Sequence, residues 1–283
     1  MIKHVPVLLV AIPLLAAFMI PMIGMVNRTA RTVVGVIALV MILAASYYIA
    51  GDILVHGRIL YYMVGSSNPE MLTEHGLTFP IRIGLKIDPF SLFFIIMTTT
   101  LVLIFYVFST QYIEENERKN YFTVLFITMV AGMMGLLVAN DLFTFFVFLE
   151  ILSISSAALV AFRTERKHPP YAGYKYMFVS AVATSFFLLG VAFLYAQYGS
   201  FNIDYLKEAI RGTLLDKIAI VLLIIPLAMK SGVVPMHMWI PDTYSEAPAP
   251  ISAMVKLGSL ICLYGLFRLS FAFGMSHAHV NYQ

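Results

Sequence analysis

The chain has 283 residues, of which 60% are apolar and only 12% charged, with a net charge of +3 and one cysteine, Cys262. A soluble domain carries about 25% charged residues, so a water-facing enzyme is excluded. The lone cysteine excludes a disulfide scaffold, the apolar content excludes disorder, and the small net charge argues against nucleic-acid binding. What remains, at a mean hydropathy of +0.88, is a polytopic membrane protein.

A bilayer core takes about 20 apolar residues per helix. Uncharged stretches give eight candidate spans, at 5–25, 32–50, 89–111, 121–139, 142–162, 176–196, 218–240 and 250–267. Their apolar runs are continuous, whereas barrel strands alternate over about ten residues. The fold class is therefore all-α. The first span exceeds the roughly 7–15-residue core of a signal peptide and reads as a retained helix. Asp88 before Pro89 and Asp141 before Leu142 read as N-caps of the third and fifth spans. Residues 203–213 place Ile203, Leu206 and Ile210 at helical spacing, which predicts a short amphipathic helix at the interface; a plain polar connector is the alternative.

Orientation follows from Lys and Arg in the loops. With the N-terminus outside, the inside loops hold Arg28 and Arg31, then Arg118 and Lys119, then Arg163, Arg166 and Lys167. The outside segments hold Lys3, the 51–88 loop with Arg58, Arg82 and Lys86, and the 197–217 segment with Lys207, Arg211 and Lys217. Charge density favours this arrangement, with both termini outside.

Ionisable residues within the spans are few. The fifth carries Glu150, the seventh Lys230 and His237, and the eighth Lys256; Lys175 stands at the inner edge of the sixth. Glu150 lies about 12 Å and Lys230 about 18 Å into its span at 1.5 Å per residue. A charge near the bilayer middle costs at least about 2.5–3.5 kcal/mol. Lys175 can snorkel; Glu150 and Lys230 cannot easily do so. A static ion pair locking two helices is one reading. The other is a proton relay, in which each charge tunes the other's proton affinity. Lys230 lies between two helix-breaking prolines, Pro226 and Pro235, and next to Ser231-Gly232. Broken helices occur at membrane depth where the freed backbone faces protein or a hydrated cavity, which favours the relay. His237 reads equally as a structural donor or a titrating group. His277 and His279 read as a solvated tail, and no metal-ligand spacing occurs in the spans.

The stretch Lys230-Ser-Gly-Val-Val-Pro-Met-His-Met-Trp-Ile-Pro-Asp-Thr-Tyr-Ser-Glu-Ala-Pro-Ala-Pro-Ile-Ser-Ala-Met254 resembles the signature of the antiporter-like subunits of respiratory complex I, Mrp-type cation/proton antiporters and membrane-bound hydrogenases. Asn140-Asp-Leu-Phe-Thr-Phe-Phe-Val-Phe-Leu-Glu150 is similar to the family's fifth-helix motif, Gly84-Leu-Lys-Ile-Asp88 to its entry into the third helix, and Lys175-Tyr176 to the start of its sixth. The resemblance implies three leading helices (1–111), one five-helix repeat with a broken seventh helix (112–270) and a tail (271–283). It implies proton, or proton and sodium, translocation within a redox-driven complex. Lys230 would be the carrier, Glu150 its modulator, Lys256 the lateral acceptor, and His237 and Lys175 supporting groups.

The family generally has about fourteen helices in two inverted repeats, which at about 20 residues each fill some 280 residues without loops. This chain has room for eight. The resemblance thus implies a second subunit completing the path: another antiporter-like subunit or small membrane subunits against the last helices, with Gly258, Ser259 and Gly265 as contact residues. A hydrogenase-like or quinone-module-like peripheral arm and surrounding lipids complete the expected partners, and neither cofactor nor metal is expected in this chain. A Mrp-type antiporter subunit without redox partner, and a structural half-module docking a full antiporter-like subunit, are the alternatives. A membrane enzyme using Glu150 and His237 is the third and weakest, for want of a nucleophile motif.

Overall fold

A computed structural model describes residues 4–64, 83–114, 118–163, 165 and 168–278. Lys3, Arg82, Arg166, Lys167 and His279 of the charge and tail readings lie outside the described residues. The elements, in order, are α1 (Val5–Val26), α2 (Arg28–His56), β1 (Leu60–Met63), β2 (Gly84–Ile87), α3 (Pro89–Tyr112), α4 (Arg118–Val138), α5 (Leu142–Val160), α6 (His168–Tyr198), α7 (Ile203–Ala209), α8 (Leu214–Ser231), α9 (Ile240–Glu246) and α10 (Ala249–Ala278). Without water to satisfy backbone groups, a spanning chain must close its hydrogen bonds within itself, and these apolar runs do so as helices.

Seven of the described helices are long and apolar enough to cross a membrane. The remaining expected span is split. Its first part, α8, has 18 residues and contains Asp216, Lys217 and Lys230; the 218–240 run does not continue as one helix but ends at Ser231 and resumes as α9. The last helix runs on past residue 267 to Ala278.

The caps follow from the sequence. Asp88 accepts from the Ser91 amide in a capping box, with Pro89 in the first turn. Asp141 accepts from the Thr144 amide at 2.7 Å. Asn27 separates α1 from α2 and caps the latter by accepting from Thr29 and Ala30. The helix expected over 203–213 is α7, with Ile203 and Leu206 buried; it ends at Ala209, and Ile210 is its extended C-cap. The loop between α2 and α3 contributes an element the sequence reading lacked, an antiparallel hairpin pairing Leu60 with Ile87 and Met63 with Gly84.

The packing order describes a ring. Helix α4 lies against α5, α5 against α6, α6 against α8, α8 against α10, and α10 returns to α4 and α5. Of the spans, α4 is the most deeply buried. The leading helices wrap this ring: α1 packs on α4 and α2, and α3 on α2 and α10. Close approach of α4 and α5 needs Gly132, where a Cβ would stand 2.8 Å from the Leu152 backbone nitrogen. Small residues permit such contacts between helices in lipid.

One end of the ring is tied by a polar network. Asn140 donates to Asp204 Oδ2 at 2.9 Å, and the Lys86 ammonium meets Asp204 Oδ1 at 2.8 Å. Gly84 N donates to Asp141 Oδ2 at 3.0 Å. Arg268 of α10 donates to the Tyr264 hydroxyl and, at 3.4 Å, to Asn140 Oδ1. These bonds fasten the hairpin, the α4–α5 turn, α7 and α10 to one another. His4, at the start of α1, also reaches the hairpin through Tyr62. The start of α1 and the later turns of α10 thus share the hairpin end of the molecule.

Candidate functional site

Lys230 occupies the interior of the ring, 5% exposed, in the last turn of α8. The helix stops there because Gly232 adopts φ 80°, ψ 29°. Its amide donates to the Met229 carbonyl at 3.2 Å, and the Val233 amide donates back to Ala228 at 3.1 Å. Together these form a Schellman closure, which favours glycine at the left-handed position. A Cβ there would also stand 2.2 Å from Ile240 Cδ1. Trp239, 1% exposed, donates its indole N–H to the Met229 carbonyl at 3.0 Å. The turn and the indole thus satisfy the Ala228 and Met229 carbonyls, and the break sets a lysine at the negative end of a helix, where cations are favoured.

The prolines divide in effect. Pro226 lies inside α8, which continues to Ser231, so it is not the point of breakage expected for it. Neighbouring helices in a membrane bundle accommodate the hydrogen bond it removes. Pro235 does lie in the non-helical stretch between Gly232 and Trp239.

Glu150 sits half-buried near the middle of α5. Its carboxylate and the Cys262 thiol of α10 lie within electrostatic range of the Lys230 ammonium. Among the described residues, however, no ion pair joins Glu150 to Lys230. The ammonium donates instead to the hydroxyl of Ser153, three residues on from Glu150. Sequence reading missed Ser153; the signal was Glu150-Ile-Leu-Ser153, which sets the two side chains on one helix face.

Lys175 pairs with Asp242 of α9 at 2.6 Å. Beside it, Tyr176 packs edge-on against Trp239 at 4.9 Å between ring centroids. Asp242 was also missed, although it stood in the quoted Trp-Ile-Pro-Asp run. Its pairing fastens α9 to α6 immediately after the break. Deeper in the same bundle, Tyr244 and Ser259 approach at 3.4 Å.

His237 and Lys256 are not brought to Lys230. His237 is exposed in the break, outside any helix, and Lys256 is exposed on α10. Lys256 shares its face with Leu260, Leu263, Phe267 and Phe271, all half-buried or exposed. The small residues expected to receive a partner point elsewhere. Gly258 and Ser259 are buried, and Gly265 lies against Phe145, where a Cβ would be 2.5 Å from the ring. The two glycines serve the internal packing of α10 on α4 and α5, and Ser259 stands against Tyr244 of α9. Among the described residues no cluster of three metal-ligating side chains occurs.

Comparison with known proteins accords with this geometry. The family described as NADH:quinone oxidoreductase/Mrp antiporter, TM, matches residues 139–283, and that described as NADH-ubiquinone oxidoreductase (complex I), chain 5 N-terminus, matches residues 75–123. The chain is 30% identical over 276 residues to NADH-quinone oxidoreductase subunit N of Desulforudis audaxviator, covering 95% of this chain and 52% of that protein. Among solved structures it resembles a chain of the membrane-bound sulfane sulfur reductase, an archaeal respiratory membrane complex, with a TM-score of 0.83 and 27% identity over 95% of this chain and 54% of the other. It resembles a chain of the Mrp complex from Dietzia sp. DQ12-45-1b with a TM-score of 0.83 and 26% identity, over 99% of this chain and 50% of the other. The chain spans about half the length of the curated relatives it matches. The ring with its interrupted helix and buried lysine, and a family match over more than half of its residues, have one conclusion: the chain belongs to the NADH:quinone oxidoreductase/Mrp antiporter transmembrane family.

Proposed function

We propose that this chain is a proton-translocating, or proton- and sodium-translocating, membrane subunit of a redox-driven respiratory complex. Lys230 is the proton carrier and Glu150 the carboxylate that modulates it. The observation that carries this reading is the buried lysine at the end of an interrupted helix, within electrostatic range of a carboxylate on α5. An ammonium there costs several kcal/mol unless it is compensated, so a fold that keeps it has a use for its charge. Helices α4–α10 form the ion-handling repeat, and α1–α3 with the hairpin form its support.

Lys256 on the outer face of α10 is the lateral acceptor, and the face it shares with Leu260, Leu263, Phe267 and Phe271 is where a further antiporter-like or small helical subunit docks. Its chemistry suits such a partner, since an uncovered lysine in a span is costly in lipid. His237, exposed in the break, and Lys175, near the start of α6, serve entry and exit of protons. The N-terminus and the hairpin face the outside of the cell membrane. The likeness to the Mrp complex over nearly the whole chain favours a second reading, a cation/proton antiporter subunit without redox partner.

The test is proton uptake by vesicles carrying the assembled complex. Glu150→Gln and Lys230→Ala should each abolish uptake while the complex still assembles. Near-normal uptake in both variants would reduce the two residues to structural groups.

A further inference from the structure

The buried ammonium does not point at the carboxylate that the sequence pairs with it. Lys230 donates to Ser153, and Ser153 in turn gives its own proton to the Leu149 carbonyl at 2.6 Å. An oxygen so committed has only lone pairs left to offer. It therefore prefers an ammonium to a neutral amine, because charge-assisted hydrogen bonds are roughly twice as strong as neutral ones. Ser153 is 4% exposed, so water competes poorly for that oxygen. Glu150 and Ser153 stand one turn apart on the same face of α5, about 4.5 Å along the axis, a step within reach of a lysine side chain.

We propose that Ser153 is a positioning residue that provides a second seat for the protonated Lys230, in competition with Glu150. The charge moves along α5 by exchanging a hydroxyl partner for a carboxylate partner, and the ion pair forms only when the lysine leaves the serine. No covalent bond changes in this exchange, since the proton stays on the lysine nitrogen. The inference rests on the carrier role proposed for Lys230.

The ionisable surroundings of Lys230 are compatible with such a two-seat arrangement. Glu150 faces it from α5 and Cys262 from α10. Helix α6, also packed on α8, brings Tyr176 against Trp239, while its Lys175 is held by Asp242. From α9, Tyr244 approaches Ser259. On α8 itself, Asp216 lies at the far end and accepts from Tyr198. Glu150 is thus the carboxylate within range of Lys230 among these groups.

The experiment compares proton uptake by the assembled complex in vesicles across the neutral to alkaline range for the wild type, Ser153→Ala, Ser153→Thr and Lys230→Ala. Losing an acceptor disfavours the ammonium, so Ser153→Ala should move the alkaline half-point of uptake to lower pH by about one unit. Ser153→Thr, which keeps the hydroxyl, should restore it. If the alanine variant does not assemble, Ser153→Cys, similar in size with a weaker acceptor, should show the same shift. An alanine or cysteine profile that overlays the wild type, or a threonine profile that follows alanine, overturns the second seat. Silence of Lys230→Ala alongside a wild-type Ser153→Ala profile sinks this inference alone; normal uptake by Lys230→Ala sinks the carrier reading with it.

Discussion

Asp204 illustrates how single residues hold the hairpin end together. Burial pushes its carboxyl up, but the hydrogen bonds and charge of Lys86, with the amide of Asn140, outweigh that and hold it below the usual carboxylate range. A carboxyl lowered in this way contributes stability above its unfolded-state value, and that contribution is lost as pH falls through the lower folded value. The tie between β2, the α4–α5 turn and α7 is therefore at full strength at neutral pH and weakens only below about pH 4. Amide-exchange protection of β2 and α7 should fall on acidification relative to α4, and Asp204→Asn should remove most of that pH dependence. Protection that stays constant through the acid range in the wild type would show that the tie does not depend on the carboxylate.

At the scale of an element, the interruption between α8 and α9 is set by Gly232. Its left-handed conformation costs a residue with a Cβ about 1–2 kcal/mol, and the Ile240 side chain leaves no room for one. Gly232→Ala should lower thermal stability by that order and also disturb Lys230, two residues away, so uptake should fall more than assembly does. Gly132 works differently, by permitting contact rather than conformation. Gly132→Ala should force α4 and α5 apart at Leu152 and cost about 1–3 kcal/mol, read as a lower unfolding temperature in detergent. If both variants melt with the wild type, neither close approach is needed for the fold.

For the whole molecule, the ring has two ends with different chemistry. At the hairpin end Lys86 pairs with Asp204, and Asn140 links Asp204 to Arg268. At the opposite end Arg118 pairs with Glu165 and Arg163 lies over the Tyr112 ring at 5.6 Å. The proposed orientation puts the second end in the cytoplasm. In a Cys262→Ser background, a cysteine replacing Arg58 near the hairpin should react with an impermeant reagent added to intact cells. One replacing Glu165 should react only after the membrane is opened. Labelling of the Glu165 site from outside would invert the topology and reverse the direction assigned to the proton path.

Much of this was legible in the sequence, because a bilayer imposes length and apolarity on any span and punishes charge within it. Continuous apolar runs gave seven of the eight expected spans; Asp88 and Asp141 gave caps, and the 203–213 periodicity gave the short helix α7, which ends at Ala209; Glu150 and Lys230 stood out as charges where charge is costly. The hairpin was illegible because its two strands are short and separated by twenty residues, so only tertiary pairing reveals them. The same holds for α10. Its sequence offers small residues and a lysine without saying which face turns inward, and close packing on α4 and α5 claims the glycines and leaves Lys256 outside. The partner of Lys230 was decided last of all. Charge alone pairs it with Glu150, but the Schellman turn at Gly232 fixes where α8 ends, and from that position the ammonium meets Ser153.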